Sequence, residues 1–346
     1  MERATARRRR ETLRERWHRR ALTFSAYGLA WPLLTASLPV ALALAGVVDG
    51  ATDRRFPRSR ALLFAWVYLA CECAGLLASL ALWLASPAAD TKRRAAWHYA
   101  LQGVWASALL GAAARLFSFE LRVTGDARVR PGPVLVFVRH ASLADTLLPA
   151  VFLARRHRMR LRWVMKRELL FDPCLDVVGQ RLRNVFVRRG SGEGEHEIAA
   201  LVELAQGIGA EDGVVIFPEG TRFTRDRQST RLAAVEASGD TERLTRARRL
   251  RHVLPPRHGG PLGLIEACPA ADVLVVAHVG FEGIARFGDA FSGALIGRRV
   301  EVGCWRVAAR AIPRDAAALR RWLDDEWARV DAWIDERLGA EAARHD

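Results

Sequence analysis

The sequence predicts an α/β fold, a mostly parallel central sheet flanked by helices, preceded by an N-terminal transmembrane helical region. Three observations carry this reading. Two uninterrupted apolar runs, Val134-Leu135-Val136-Phe137-Val138 and Val214-Val215-Ile216, read as buried parallel strands, and each ends in a group of polar residues. The first third of the 346-residue chain holds two stretches almost without charge, each long enough to cross a hydrocarbon core of about 30 Å. Near the C-terminus, Leu319, Leu323, Trp327, Val330, Ile334 and Leu338 recur at helical spacing, after Pro313 and before Gly339.

Taken in chain order, the first twenty residues hold nine arginines against three acids. Residues 21–48 carry no charged side chain, and residues 61–89 carry only Glu72. Both read as transmembrane spans; a cleaved signal peptide has a shorter apolar region than the first of them. The charge excess places the N-terminus in the cytoplasm. Two crossings then put the loop Asp49 to Arg60 on the far side and return the chain to the cytoplasm. Trp97 to Ala114 is uncharged but shorter, and reads as a helix lying along the membrane surface. Glu72, between Cys71 and Cys73, reads as protonated or paired within the membrane. The five cysteines are scattered and suggest neither a disulfide framework nor a zinc site.

The expected organisation is a basic N-terminus with two transmembrane helices over 1–95, an interfacial helix over 96–118, and an α/β domain over 119–346. Within that domain Glu193 to Gly207 reads as a helix, and Asp272 to Val279 and Arg299 to Val307 as strands. The C-terminal run forms an amphipathic helix, and the charged stretch 223–257 is an exposed insertion. Gly190-Ser191-Gly192-Glu193-Gly194 lacks a full dinucleotide fingerprint and reads as a flexible turn. The net charge of +15 and pI near 11 favour anionic membrane lipids as partners. Nucleic acid is set aside because the basic groups are not interleaved with stacking aromatics.

The chemistry gathers at the two strand ends, where open α/β sheets bind ligands. After the first strand come Arg139-His140-Ala141-Ser142-Leu143-Ala144-Asp145. His140 and Asp145 are five apart, about 140° around an ideal helix, so they meet only if the chain turns between them. Ser142 would cap a helix carrying Asp145. A carboxylate behind a neutral imidazole fixes its tautomer and stabilises the imidazolium, as general base catalysis requires. After the second strand comes Phe217-Pro218-Glu219-Gly220-Thr221-Arg222. Pro218 and Gly220 predict a tight turn presenting Arg222 to a phosphate, with Glu219 holding either that guanidinium or the turn's own amides.

His140-x4-Asp145 followed by this six-residue element resembles the glycerolipid acyltransferase family that includes the lysophosphatidic acid acyltransferases. The resemblance extends to Lys166 in Trp163-Val164-Met165-Lys166 and to Val185-Phe186-Val187-Arg188-Arg189, and spans roughly residues 118 to 280. It implies that His140 takes the proton of an acceptor hydroxyl attacking an acyl thioester, with Asp145 orienting it. It also implies that Glu219, Gly220, Thr221 and Arg222 bind the acceptor's glycerol phosphate, with Arg189 a second phosphate contact. Lys166 and Ser142 complete the candidate substrate-contacting set. The co-substrate would be acyl-CoA or acyl carrier protein, with no cofactor and no metal.

The implied reaction acylates a lysophospholipid, 1-acyl-sn-glycerol-3-phosphate giving phosphatidic acid, on the cytoplasmic face of a bacterial inner membrane. The stretches Phe223-Thr224 and Leu254-Pro255-Pro256-Arg257-His258-Gly259-Gly260 resemble the branch that reacylates lysocardiolipin or lysophosphatidylinositol. Outside this class stand a membrane-bound lipid hydrolase and a non-catalytic lipid-binding scaffold. The sequence departs from the family in three places. Arg139 stands where a small polar residue is usual, Arg188 where an acid is common, and Val275-Val276-Ala277-His278-Val279 lacks a proline. The oligomeric state is left open.

Overall fold

The computed structural model describes residues 11–85, 90–125, 129–187, 194–284 and 287–342. Arg188, Arg189 and residues 190–193 of the glycine-rich turn lie outside them. Helix α1 (Leu13–Thr52) opens with a capping box at Thr12 and Glu15. It is followed by α2 (Pro57–Leu84) and α3 (Thr91–Leu116). Among the described residues the sheet has seven strands: β1 (Glu120–Thr124), β2 (Val134–Val138), β3 (Arg160–Lys166), β4 (Val185–Val187), β5 (Asp212–Ile216), β6 (Asp272–Val279) and β7 (Arg299–Val307). Their spatial order is β1-β7-β6-β2-β5-β3-β4. All neighbours pair in parallel except β6 with β7.

β2 is buried at every position, and its alternating side chains enter two separate cores. Val134, Val136 and Val138 pack with Ala106, Leu110 and Phe117 of the α3 segment and with Leu148 and Leu153. The last two belong to α4 (Leu147–Pro149) and to the wider π-helical turns Ala150–Arg156 that continue it. Leu135 and Phe137 face the other layer, made by α5 (Gly194–Ala205), α8 (Gly259–Ala267) and α9 (Ala316–Ala342). In α9 the predicted stripe is buried: Leu319, Leu323, Trp327, Val330 and Ile334 all pack in this core. The charged stretch 223–257 folds as two short helices, α6 (Arg225–Glu236) and α7 (Thr241–Arg249).

α1 and α2 are long and apolar enough to cross a membrane. Leu29, Leu33, Val40, Leu44 and Val47 of α1 are exposed, as are Leu77, Leu80 and Trp83 of α2. The hairpin makes contacts with the domain at both of its ends. At one end Arg19 and Arg20 hold Asp176 at 3.0 and 3.2 Å. About 45 Å along α1, at the other end, Arg60 donates to the Leu116 carbonyl and to Ser118 Oγ, and Pro57 packs beside Gly293. Both ends of the hairpin therefore touch the α/β domain. Glu72 also finds its partners outside the hairpin: it accepts from Trp105 Nε1 at 2.8 Å and from the Cys174 N–H at 3.0 Å. α3, expected to lie on a membrane surface, buries one face between α2 and the domain.

Candidate active site

Parallel strands β5, β2 and β6 end at one edge of the sheet, and the loops that leave them interlock. His140 and Asp145 meet as their spacing requires, through a turn. Asp145 Oδ2 lies 3.1 Å from His140 Nδ1 and accepts the N–H groups of Ala141 and Ser142 at 2.6 and 2.7 Å. One carboxylate oxygen thus shapes the loop and orients the ring. An acceptor at Nδ1 keeps the proton there and leaves the basic lone pair on Nε2. Asp145 is fully buried and His140 is 15% exposed. Burial pushes the Asp145 carboxyl up, but the neighbouring His278 and the hydrogen bond from His140 outweigh it and hold the group well below the usual range. Phe217 packs on the His140 ring with centroids 4.4 Å apart. Ser142 sits ahead of a 3-10 turn, Ala144–Thr146, and its Oγ accepts the Ala144 N–H at 3.1 Å.

The second motif clasps the first. Gly220 N–H donates to the Phe217 carbonyl at 2.8 Å, closing a turn in which Gly220 has φ +71°. Phe223 N–H donates to the His140 carbonyl at 2.7 Å. Glu219 does not face solvent or Arg222. It is fully buried, with Oε1 accepting the His140 N–H at 2.8 Å and Oε2 the Leu254 N–H at 2.9 Å. Burial pushes its carboxyl up to about 8 against those two N–H groups and the Arg139 charge. The predicted substrate contact at Glu219 is therefore corrected to an internal brace, because its oxygens are spent on main chain. Of the two alternatives for Glu219, the amides prevail, though not those of its own turn.

An open cavity of about 190 Å³ runs from this edge toward α3. His140, Ser142, Lys166 and Arg222 stand in its wall with Leu147, Met165, Leu169 and Leu175, and Gln102 and Trp105 of α3 close its far part. Thr221 is half-buried beside Arg222. Arg189 lies outside the described residues. A second pocket, about 220 Å³, lies across the turn, lined by Phe217, Pro218, Gly220, Arg257 and the start of α8. Arg231 adjoins it, donating to the Glu219 carbonyl at 3.1 Å; burial and the charges of Arg257 and Arg243 bring its pKa down to about 10.

Sequence reasoning missed Arg231, which looked like one of many charges in a polar stretch. It also missed Arg139 as a structural group: its buried guanidinium donates to the carbonyls of His278 at 2.5 Å and His252 at 2.9 Å and to Glu282. Among the described residues no group of three or more His, Cys, Asp or Glu side chains is placed to hold a metal ion.

The edge of the α/β sheet thus sets a His–Asp pair against a largely apolar cavity, in a domain joined to a long apolar hairpin. Residues 120–267 match the family model described as Acyltransferase. The solved structure of the 1-acyl-sn-glycerophosphate (LPA) acyltransferase PlsC from Thermotoga maritima has the same fold. It superposes with a TM-score of 0.52 at 16% identity, over 80% of this chain and 94% of that one. The protein is an O-acyltransferase with a PlsC-like fold.

Proposed function

We propose that the enzyme moves an acyl chain from acyl-CoA or acyl carrier protein to the free hydroxyl of a lysophospholipid, 1-acyl-sn-glycerol-3-phosphate, giving phosphatidic acid. The observation that carries this is the His140 Nδ1 contact with Asp145 at 3.1 Å in the wall of a cavity that also holds Arg222. With Nδ1 engaged, Nε2 takes the acceptor's proton as its oxygen forms a bond to the thioester carbonyl carbon. The tetrahedral intermediate then expels the thiolate, and the imidazolium returns the proton to sulfur. The acyl group passes directly to the acceptor, so no acyl-enzyme forms. Asp145, ionised and buried, stabilises the transient imidazolium.

Arg222 and Lys166 supply cations for the acceptor phosphate, and the apolar wall toward Trp105 suits a fatty chain. The exposed apolar face of α1 and α2 would hold this site at the cytoplasmic face of a bacterial inner membrane, where the net charge of +15 favours anionic lipid.

The test incubates purified membranes with a panel of lysolipids and labelled acyl-CoA, for the wild type and for His140→Ala. The wild type should acylate lysophosphatidic acid in preference to lysocardiolipin or lysophosphatidylinositol. His140→Ala should lower turnover by about 10²- to 10⁴-fold, the usual worth of a general base. Free fatty acid released without acceptor would make the enzyme a hydrolase, and near-normal turnover by His140→Ala would remove the base.

A further inference from the structure

A second cluster of cations stands across the turn from Arg222. Gly220 has no Cβ, and the Arg257 side chain lies where one would project, its Nε and Cδ within 2.8 and 2.9 Å of that position. The Arg257 N–H donates to the Pro218 carbonyl at 2.8 Å, so main chain and side chain are both seated on the turn. Arg231, on α6, reaches the same turn and donates to the Glu219 carbonyl at 3.1 Å. Burial and the charges of Arg257 and Arg243 bring the Arg231 pKa down to about 10. An arginine keeps its proton all the same, so the repulsion persists until an anion relieves it. The Glu219 carboxyl opposes it weakly, being pushed up to about 8 with both oxygens engaged by main chain. Arg243 is itself tied to the Pro256 carbonyl at 2.7 Å and faces Asp324 at 3.6 Å. Among the described residues no carboxylate pairs with Arg231 or Arg257.

We infer that Arg257 and Arg231 form a phosphate subsite for the acyl donor, taking the phosphate that coenzyme A and the phosphopantetheine arm of a carrier protein have in common. This rests on the reading of the reaction as acyl transfer from a thioester. Both substrates carry phosphate, and two sets of cations stand apart. Arg222 and Lys166 lie in the cavity wall beside His140, where the acceptor's phosphate is placed. Arg257 lines the other pocket, with Val164, Ile198, Leu201 and Ile216. Val164 and Phe217 belong to both walls, and the Phe217 ring packs on His140. A donor held at Arg257 therefore has only that shared wall to pass to bring its thioester to the base, while the acceptor comes from the other side. A guanidinium already seated on the turn offers a phosphate two parallel N–H groups at little cost in side-chain freedom.

The test measures acyl transfer by the full chain in membranes, with one acyl group presented on coenzyme A, on carrier protein, on phosphopantetheine and on pantetheine. Acyl-phosphopantetheine and acyl-pantetheine differ only in the phosphate. Wild type should show a KM for acyl-pantetheine about 10-fold or more above that for acyl-phosphopantetheine, the worth of a hydrogen bond to a charged group. Equal values would overturn the inference without any variant. Arg257 is exposed, so Arg257→Gln spares the core. It should close the gap by raising the KM of the phosphorylated donor, with kcat falling less. A similar rise with acyl-CoA and with acyl carrier protein supports the shared phosphate, whereas a rise confined to acyl-CoA would place the nucleotide's phosphates there and overturn that assignment. A rise in acceptor KM with donor KM unmoved would overturn the inference in favour of the acceptor. Absence of transfer from every thioester to every lysolipid would overturn the proposed reaction and this inference together. Transfer by Arg257→Gln with every KM at its wild-type value removes only the arginine subsite.

Discussion

Glu219 joins separate pieces of backbone through one side chain. Its two oxygens take the N–H of His140 and of Leu254, and its carbonyl takes Arg231. A glutamine there can accept only one of those N–H groups and turns an amide donor toward the other. Glu219→Gln should therefore lose about 1–3 kcal/mol, the cost of stranding a buried donor, and lower kcat by letting the His140 main chain shift. Denaturant unfolding and kcat at one pH check this; a variant unchanged in both would show that the brace is not needed. Arg222 stands on the other side of the turn, in the cavity wall. If it binds the acceptor phosphate in the ground state, Arg222→Lys keeps the charge but loses the planar fork. The acceptor KM should then rise more than kcat falls. An unchanged KM would assign Arg222 to the surface.

The elements that hold these residues are two strand-end turns, and Gly220 sets the shape of one. Its φ of +71° is a left-handed conformation, and an added Cβ would come within 2.8 Å of Arg257 Nε and 2.9 Å of its Cδ. Gly220→Ala should cost about 1–2 kcal/mol from the backbone alone, and more while Arg257 keeps its place. Adding Arg257→Ala should restore only the part due to crowding, which thermal unfolding of the single and double variants separates. Equal stability of Gly220→Ala and wild type would mean that the turn relaxes freely. β2, β5 and β6 were legible because their apolar runs are bounded by polar residues.

β1 and β3 were not. β1 alternates exposed and half-buried positions at the sheet edge, which leaves little periodic contrast. β3 carries Arg160 and Arg162, and Arg162 is buried only because Asp212 at 2.7 Å and the carbonyls of Leu204, Gln206 and Gly207 surround it. The His140–Asp145 contact could be read from a five-residue spacing. The approach of His278 to Asp145, at 3.3 Å, could not, since it depends on the β2–β6 register, which joins residues more than 130 apart. Glu219 was legible as important and misread in direction, because nothing in a turn sequence says which side of it is solvent.

At the scale of the molecule, the apolar hairpin lies along the α/β domain. α2 touches the domain from Ala61, in the core shared with β2, to Ser79, whose Oγ accepts from Arg181 at 2.7 Å. That is about 27 Å of helix lying along protein. Midway, Tyr68 donates to Asp172 at 2.9 Å and Glu72 caps the Cys174 N–H. A buried carboxylate in an apolar helix is costly unless bonded, so these contacts are the reason Glu72 is tolerated. The segment they grip, 172–176, includes Leu175 of the cavity wall, which ties the apolar hairpin to the site. Length and apolarity made the helices readable as spans, but which side their loop occupies is a property of tertiary contacts.

The contacts predict that residue 58 and residue 225 face the same aqueous side. Single cysteines placed at Arg58 and at Arg225, labelled in sealed vesicles with an impermeant maleimide and compared with the unmodified chain, should react from the same face. Labelling of residue 58 only from the face opposite residue 225 would mean that the Arg60–Leu116 and Pro57–Gly293 contacts are not made in the membrane. The hairpin would then cross the bilayer with its loop outside, as the charge pattern alone suggests. In the arrangement seen here, breaking the far attachment should free the hairpin without emptying the site. Asp176→Ala, which releases Arg19 and Arg20, should loosen the protein's hold on vesicles or its packing while leaving His140 and Asp145 in register. Carbonate extraction and kcat, measured together on that variant, separate a loss of attachment from a loss of chemistry.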